Sequence, residues 1–418
     1  MSEPPSLTEI ARVFGRIGLL SFGGPAAQIA MLQTETVEHR PWLSAQSFAN
    51  GLSFCMLLPG PEAMQLATWC GWRLSGLTGG LIAGTLFVAP GALVILALAL
   101  IYAYLGDVPF VQTLFLGVQA AVVAIVVQAL FRLSKRALGG ASDVMVAGLS
   151  FLALYIFNLP FPLVLLAAAL YGAARASGPP GVSDARLPAP NFRIIGGFIA
   201  IWWVPVLMLW LSGATLLTQI ALFFSKLAVV TFGGAYAVLA YMTQEVVDRH
   251  GWLRPEQMID ALGLAETTPG PLILVTEFVG FLAGFGEGGL WLGIAAALVT
   301  LWVTFVPCFL WIFALGPYID WLSKQPRLSG ALSGVMAAVV GVIGALALWF
   351  ALHVLFKSQT EVSLPAGIGA VELPQLASLD PVALPLTLLA AALLWANRFG
   401  FPAILGICAL AALALSKV

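Results

Sequence analysis

Several stretches of this chain run for twenty or more residues with hardly a charge, and that feature limits the fold more than any other. Residues 81–105 read LIAGTLFVAPGALVILALALIYAYL, and comparable runs occupy 110–131, 288–314 and 328–356. About 20 apolar residues suffice to cross the hydrocarbon core of a bilayer as a helix. Shorter apolar spans lie at 144–158, 160–174, 196–213, 382–396 and 401–416. Hydrophobic residues make up 61% of the 418 positions and charged residues 9%. An ordinary soluble domain carries about 25% charged residues, so this chain cannot cover a water-facing surface. The reading is an all-α polytopic membrane protein with the lipid bilayer as its solvent. The N-terminal MSEPPSLTEIARVFGR is polar and lacks the apolar core and cleavage site of a secretory signal. Four cysteines, Cys55, Cys70, Cys308 and Cys408, all lie in apolar sequence without metal-ligand spacing and read as small core residues.

The triplet Pro-Gly-Pro occurs at 59–61 and again at 269–271, an offset of 210 that brings much else into register without a gap. Phe22-Gly23-Gly24 falls on Phe232-Gly233-Gly234, Glu35 on Glu245, Trp42-Leu43 on Trp252-Leu253, and Arg16 on Lys226. Over residues 21–61 thirteen positions are identical to their partners. The chain is therefore two copies of one unit. A first repeat spans 1–176. A polar, Pro/Gly-rich linker at 177–194 follows on the cytoplasmic side. A connecting span plus the second repeat fill 195–418. Basic residues mark cytoplasmic loops. In the first copy they follow the span 110–131, at Arg132, Lys135 and Arg136. In the second they sit at Lys324 and Arg327, while the matching first-copy loop 106–109 has no positive charge. That flip is what an inverted-topology repeat requires. Arg249 and Arg254 then face outward, against the trend.

Regions 8–76 and 217–285 are less apolar and are cut into half-helix pieces. A proline in the first helical turn loses no hydrogen bond, so Pro61 and Pro271 start helices over 61–75 and 271–284, with others at 44–57 and 255–267 ending just before. Gly23-Gly24 and Gly233-Gly234 end one helix and permit a sharp turn into the next. Each copy then offers broken helices, or re-entrant helical hairpins, whose tips lie deep in the membrane. Non-helical backbone is tolerated there where protein buries it or where it lines a wet cavity. Interrupted spans at matching places in two copies point to a transporter binding site; the plainer alternative is a set of packing kinks.

Helix N-termini carry unpaired N–H groups and about half a positive charge each. Four such ends, with Arg16 and Lys226 each seven residues before the first Gly of its FGG, make the site one for a divalent anion. The alternative for Arg16 and Lys226 is snorkelling to an interface. Glu35 and Glu245 precede Glu38-His39-Arg40 and Asp248-Arg249-His250 respectively. They read either as solvated hairpin ends paired with those bases or, with Glu62, as proton-coupling candidates. Glu277 follows the second Pro-Gly-Pro and Glu266 precedes it, without acids at the matching places in the first copy. No catalytic constellation, metal-ligand set, nucleotide-binding loop or cofactor motif appears. A non-enzyme is expected; an intramembrane enzyme acting on an anionic lipid would have only Ser53 and Thr267-Thr268 near the tips.

With FGGP at 22–25, FGG at 232–234, Trp-Leu before each triplet and both Pro-Gly-Pro turns in hand, the chain resembles the chromate ion transporter family in its two-domain, long-chain form. The resemblance extends over nearly the whole chain. It implies a multi-pass protein of the bacterial inner membrane that exports chromate, with sulfate as an analogue, by a secondary-active or potential-driven route. Another anion such as sulfate stays open as the substrate. Arg16, Gly23, Gly24, Glu35, Pro59, Gly60 and Pro61, with Lys226, Gly233, Gly234, Glu245, Pro269, Gly270 and Pro271, match the family's motif positions, and all of these but the two glutamates, with Phe22 and Phe232, are the expected substrate site. Pro25 against Ala235, and Glu62 against Leu272, break strict symmetry. The partners implied are the oxyanion and the lipid bilayer, with no nucleic acid, and a homodimer stays open.

Overall fold

A computed structural model describes residues 5–176, 189–232, 235–322, 324–363 and 370–416. In chain order the helices are α1 (Leu7–Leu20), α2 (Gly24–Gln33), α3 (Ala45–Cys55), α4 (Glu62–Leu105), α5 (Pro109–Ala137), α6 (Ala141–Tyr155), α7 (Phe161–Arg175), α8 (Phe192–Leu211), α9 (Thr215–Val230), α10 (Ala235–Thr243), α11 (Pro255–Thr267), α12 (Val275–Leu315), α13 (Ile319–Leu322), α14 (Pro326–Leu355), α15 (Ala383–Ala396) and α16 (Phe401–Leu415). One antiparallel hairpin, β1 (Gln359–Ser363) and β2 (Ala370–Pro374), lies between α14 and α15, with Glu361 opposite Glu372. Five of the described helical stretches are long and apolar enough to cross a membrane: Glu62–Leu105, Pro109–Ala137, Phe192–Leu211, Leu272–Tyr318 and Pro326–Leu355. The chain is an all-α, multi-pass membrane protein. Residues 177–188 of the predicted linker lie outside the described residues.

The boundaries follow local chemistry. Ser6 caps α1 by accepting the Glu9 N–H at 3.2 Å, and Ser44 caps α3 by accepting the Ser47 N–H at 3.1 Å. Each satisfies one of the donors that a helix start leaves orphaned. The two longest helices are broken. Ser75-Gly76 and Gly288-Gly289 leave helical geometry, with φ of 63° at Gly76 and 73° at Gly289. The first halves of α4 and α12 are therefore the short helices expected after each Pro-Gly-Pro. Both copies also widen into a π-helical segment at the same register, Thr34–Glu38 and Gln244–Arg249.

The fold gathers into two compact units, each drawing on both sequence copies. Unit 1 holds Met1–Ala103, Pro179–Ala235 and Thr268–Gln325; unit 2 holds Tyr104–Gly178, Tyr236–Thr267 and Pro326–Val418. In unit 1, α8 and α9 pack on α12, and α1 presses Gly18 against the Leu86 backbone of α4. In unit 2, α14 is the spine, flanked by α5, α6 and α7. Gly334 lies on the Ala168 carbonyl and Gly341 on that of Ala147, and a Cβ at either glycine would run into it. Small residues let helices approach this closely where lipid supplies no hydrophobic drive for association.

Candidate functional site

The two interrupted segments meet inside unit 1. α1 ends at Ser21, the chain turns through Phe22 and Gly23, and α2 begins at Gly24, with φ of 90° and 81° at the two glycines. The Gly60 N–H donates to the Thr231 carbonyl at 2.8 Å, and the Gly270 N–H donates to the Ser21 carbonyl at 3.0 Å. Residues 21 and 231, and residues 60 and 270, are partners at the offset of 210, so each Pro-Gly-Pro turn grips the helix end before the other copy's FGG. Gly60 has φ of 123°, and a Cβ on it would lie 2.8 Å from Gln65 Nε2 and 3.0 Å from Cys308 Sγ. On the other turn, Gly91 of α4 lies so close to Pro269 that a Cβ would run into the Pro269 carbonyl oxygen.

Two glutamines hold this crossing from within. Gln28 Nε2 donates to the Gly270 carbonyl at 2.6 Å and the Ser21 carbonyl at 3.3 Å. Gln65 Nε2 donates to the Pro59 carbonyl at 2.7 Å. Carbonyls only accept, so each amide must turn its nitrogen toward them. The Oε1 atoms of Gln28 and Gln65 are thereby left buried without a hydrogen-bond partner. A cavity of about 20 Å³ lies here, lined by Pro25, Gln28, Gly60, Pro61, Glu62, Ala63, Thr231, Pro271, Leu272 and Ile273. That is room for about one water molecule. The first residues of two helical stretches, Glu62-Ala63 and Leu272-Ile273, are on its wall, where helix starts present unpaired N–H groups.

Of the predicted site residues, Ser21-neighbouring Gly23 and Gly24, both Pro-Gly-Pro turns and Glu62 gather at or beside this crossing. Gly233 and Gly234 lie outside the described residues. Arg16 and Lys226 are exposed on α1 and α9 and do not line the cavity; Phe22 is exposed and Phe232 half-buried. Neither Glu35 nor Glu245 lines it; both stand in the π-helical segments. Glu35 pairs with Arg40 and, at 3.7 Å, with His39; Glu245 pairs with Arg249 at 3.3 Å and with His250 at 4.0 Å. Glu35 belongs to unit 1 and Glu245 to unit 2. Sequence reasoning passed over Ser21 and Thr231, although both precede FGG at the same register. It also passed over Gln28 and Gln65, whose partners at the offset are Val238 and Val275. Three further acids are buried, Asp260, Glu266 and Glu277. Glu277 is 1% exposed with Oε2 unpartnered, and Glu266, 4% exposed, accepts the Tyr236 hydroxyl at 2.5 Å.

Unit 2 has a roomier cavity of about 520 Å³, lined among others by Tyr155, Asn158, Gln244, Asp248, Trp349 and Glu372. Asp248 and Glu372 on its wall are acids, as is Glu62 on the wall of the smaller cavity. Burial, then the Glu372 carboxylate, push Asp248 up to about 6, against a smaller opposing pull from His353. Among the described residues no group of three or more His, Cys, Asp or Glu could hold a metal ion.

Long apolar helices, two of them broken, and paired Pro-Gly-Pro turns that each bond to the other copy's helix end define a multi-pass membrane transport protein. The family model described as chromate transporter matches residues 8–173 and 218–414, and the chain belongs to that family. The chain is 33% identical over 349 residues to a chromate transport protein of Pseudomonas aeruginosa, covering 82% of this chain and 80% of the relative. It is 30% identical over 345 residues to that of Cupriavidus metallidurans, covering 81% of each. A probable chromate transport protein of Synechococcus elongatus is 30% identical over 348 residues, covering 81% of this chain and 83% of the relative. No solved structure matches the chain.

Proposed function

We propose that this protein exports a tetrahedral divalent oxyanion, chromate first and sulfate as its analogue, across the bacterial inner membrane, without an enzymatic step. The observation that carries the reading is the pair of reciprocal bonds from Gly60 to Thr231 and from Gly270 to Ser21. Two interrupted segments held against each other in the interior are the form a transporter site takes. The helix starts at Glu62 and Leu272 favour negative charge. Arg16 and Lys226 add positive charge two helical turns before the breaks. The names of the relatives support chromate as the first anion to test.

A cavity of about 20 Å³ is too small for an oxyanion. The turns must part to admit one, and alternate parting on either side, between two halves of inverted topology, gives passage. The membrane potential favours export: a dianion leaving a cell negative inside gains ~4.6 kcal/mol at 100 mV, twice the ~2.3 kcal/mol for one charge. The test is uptake of labelled chromate into inside-out vesicles, with sulfate as competitor. Arg16→Gln and Lys226→Gln should abolish it and Arg16→Lys retain part. Native rates in both neutral variants would leave the two bases as interfacial anchors only.

A further inference from the structure

The cavity of about 520 Å³ in unit 2 takes no part in the oxyanion reading, yet it has the size of a small-molecule site. α6, α7, α10, α14, β2 and the π-helical segment Gln244–Arg249 enclose it, all within that unit. It reaches the surface at Asn158, which is exposed and accepts a hydrogen bond from Gln244. Aromatic rings make much of its wall. Tyr241 stacks on Phe161 with centroids 4.9 Å apart, and Trp349 stacks on His353 at 4.0 Å. The Tyr155 hydroxyl donates to the Glu372 carbonyl at 2.9 Å, which ties α6 to β2. The rings are therefore set in place before any ligand arrives.

Two carboxylates share that wall, Asp248 from the π-helical segment and Glu372 from β2. They stand near enough that Glu372 is the next cause, after burial, of the raised Asp248 pKa. No basic residue lines the cavity among the described residues. Of the bases on or beside the enclosing elements, Arg249 and His250 pair with Glu245, Arg175 with Asp143 and Lys357 with Asp380. Arg327 lies at the far end of α14 from Trp349. His353 opposes the rise at Asp248 only in part. The cavity thus carries excess negative charge beside electron-rich ring faces. An anion is repelled there. An inorganic metal ion would find two carboxylates but no third acid, His or Cys among the described residues to complete a ligand set. Carboxylates and aromatic faces together attract an organic cation, by Coulomb attraction and through the ring quadrupole.

We propose that this cavity binds a small organic ammonium ion, with its charge against Asp248 and Glu372 and its carbon groups against Trp349, Tyr155 and Tyr241. The proposal does not rest on the oxyanion reading. The same ammonium group occurs on free amines and on the head groups of phosphatidylethanolamine and phosphatidylcholine.

The test is equilibrium binding of labelled choline and tetramethylammonium to the full-length protein in phosphatidylglycerol nanodiscs at fixed ionic strength. Both should bind saturably, and an equal concentration of sodium should not displace them. Asp248→Asn and Glu372→Gln should each weaken binding about tenfold. Trp349→Leu should weaken it by a similar factor, while Trp349→Phe, which keeps a ring, retains most of it. Glu372→Gln leaves the backbone carbonyl that Tyr155 holds, and a cooperative melt of each variant shows its fold intact. Absence of saturable binding, displacement by sodium, or native affinity in both carboxylate variants would overturn the proposal. Repeating the titration in phosphatidylethanolamine nanodiscs separates the sources. Loss of choline binding there identifies the lipid head group as the occupant, and unchanged binding identifies a free amine. Chromate enters no arm of this experiment, so a failure of chromate transport would defeat the oxyanion reading alone.

Discussion

Replacing Gln28 tests the crossing through a cost whose pH dependence is set by the substituted side chain. Its Nε2 is a donor between two carbonyl oxygens, 2.6 Å from that of Gly270 and 3.3 Å from that of Ser21. Gln28→Leu strips the donor from Gly270, while Ser21 keeps the Gly270 N–H at 3.0 Å. A buried acceptor left unsatisfied costs ~1–3 kcal/mol, but the substitution also deletes the unpartnered Oε1, which returns a similar amount. The net change should be within ~1 kcal/mol and independent of pH. Gln28→Glu differs, because an acid can replace the donor only while it keeps its proton. Holding a carboxyl of ordinary pKa about 4.3 protonated costs ~3.7 kcal/mol at about pH 7 and ~1 kcal/mol at about pH 5, at 1.36 kcal/mol per unit. The folded-state pKa is raised, so the penalty grows as pH rises above the unfolded value. Unfolding in detergent can be followed by thiol labelling, since Cys55, Cys70, Cys308 and Cys408 are all buried. Equal stability of Gln28→Glu and native protein at neutral pH, or a loss that does not change with pH, would refute the assigned amide orientation.

Gly60→Ala should destabilise by ~1–3 kcal/mol, the cost of forcing a side chain into glycine-only backbone, with Gln65 and Cys308 in the way of its Cβ; the same thiol assay measures it. If the copies are inverted, single cysteines at Gly106 and Gln325 should react with an impermeant reagent from opposite faces of the membrane, and reaction from one face would rule the inversion out. Asp248 is raised to about 6 by burial and Glu372, so its penalty is absent below the unfolded carboxylate range and complete above about pH 6. Asp248→Asn should therefore raise the melting temperature at alkaline pH and leave it unchanged in acid.

Much of this architecture is legible in the residues. The apolar runs marked four of the five long spans as such and Phe192–Leu211 as a shorter one, and proline marked where α4 and α12 begin, because it acts on the backbone directly; the glycines of the breaks at Ser75-Gly76 and Gly288-Gly289 were not singled out. The offset of 210 named the turns that meet. The hairpin at 359–374 escaped notice, since its strands are short and neither apolar nor flanked by a matching copy. The glutamines escaped for a different reason. Their role is to donate to carbonyls of distant turns, Gln28 to Gly270, and no local pattern announces such a bond. The acids misled most. Symmetry singled out Glu35 and Glu245, which are paired with adjacent bases, whereas the buried Asp260, Glu266 and Glu277 have no acid at the matching place in the first copy. Burial is set by packing of distant segments, and a repeat reports only what both copies share.

The account's central claim is that an oxyanion passes where the two Pro-Gly-Pro turns cross. Labelled chromate uptake into inside-out vesicles, at a fixed potential positive inside, tests it most directly when native protein is compared with Gly60→Ala/Gly270→Ala inserted at equal levels. The native protein should accumulate chromate well above vesicles lacking it, and the double variant should not. No accumulation by the native protein, or native rates in the double variant, would contradict the claim.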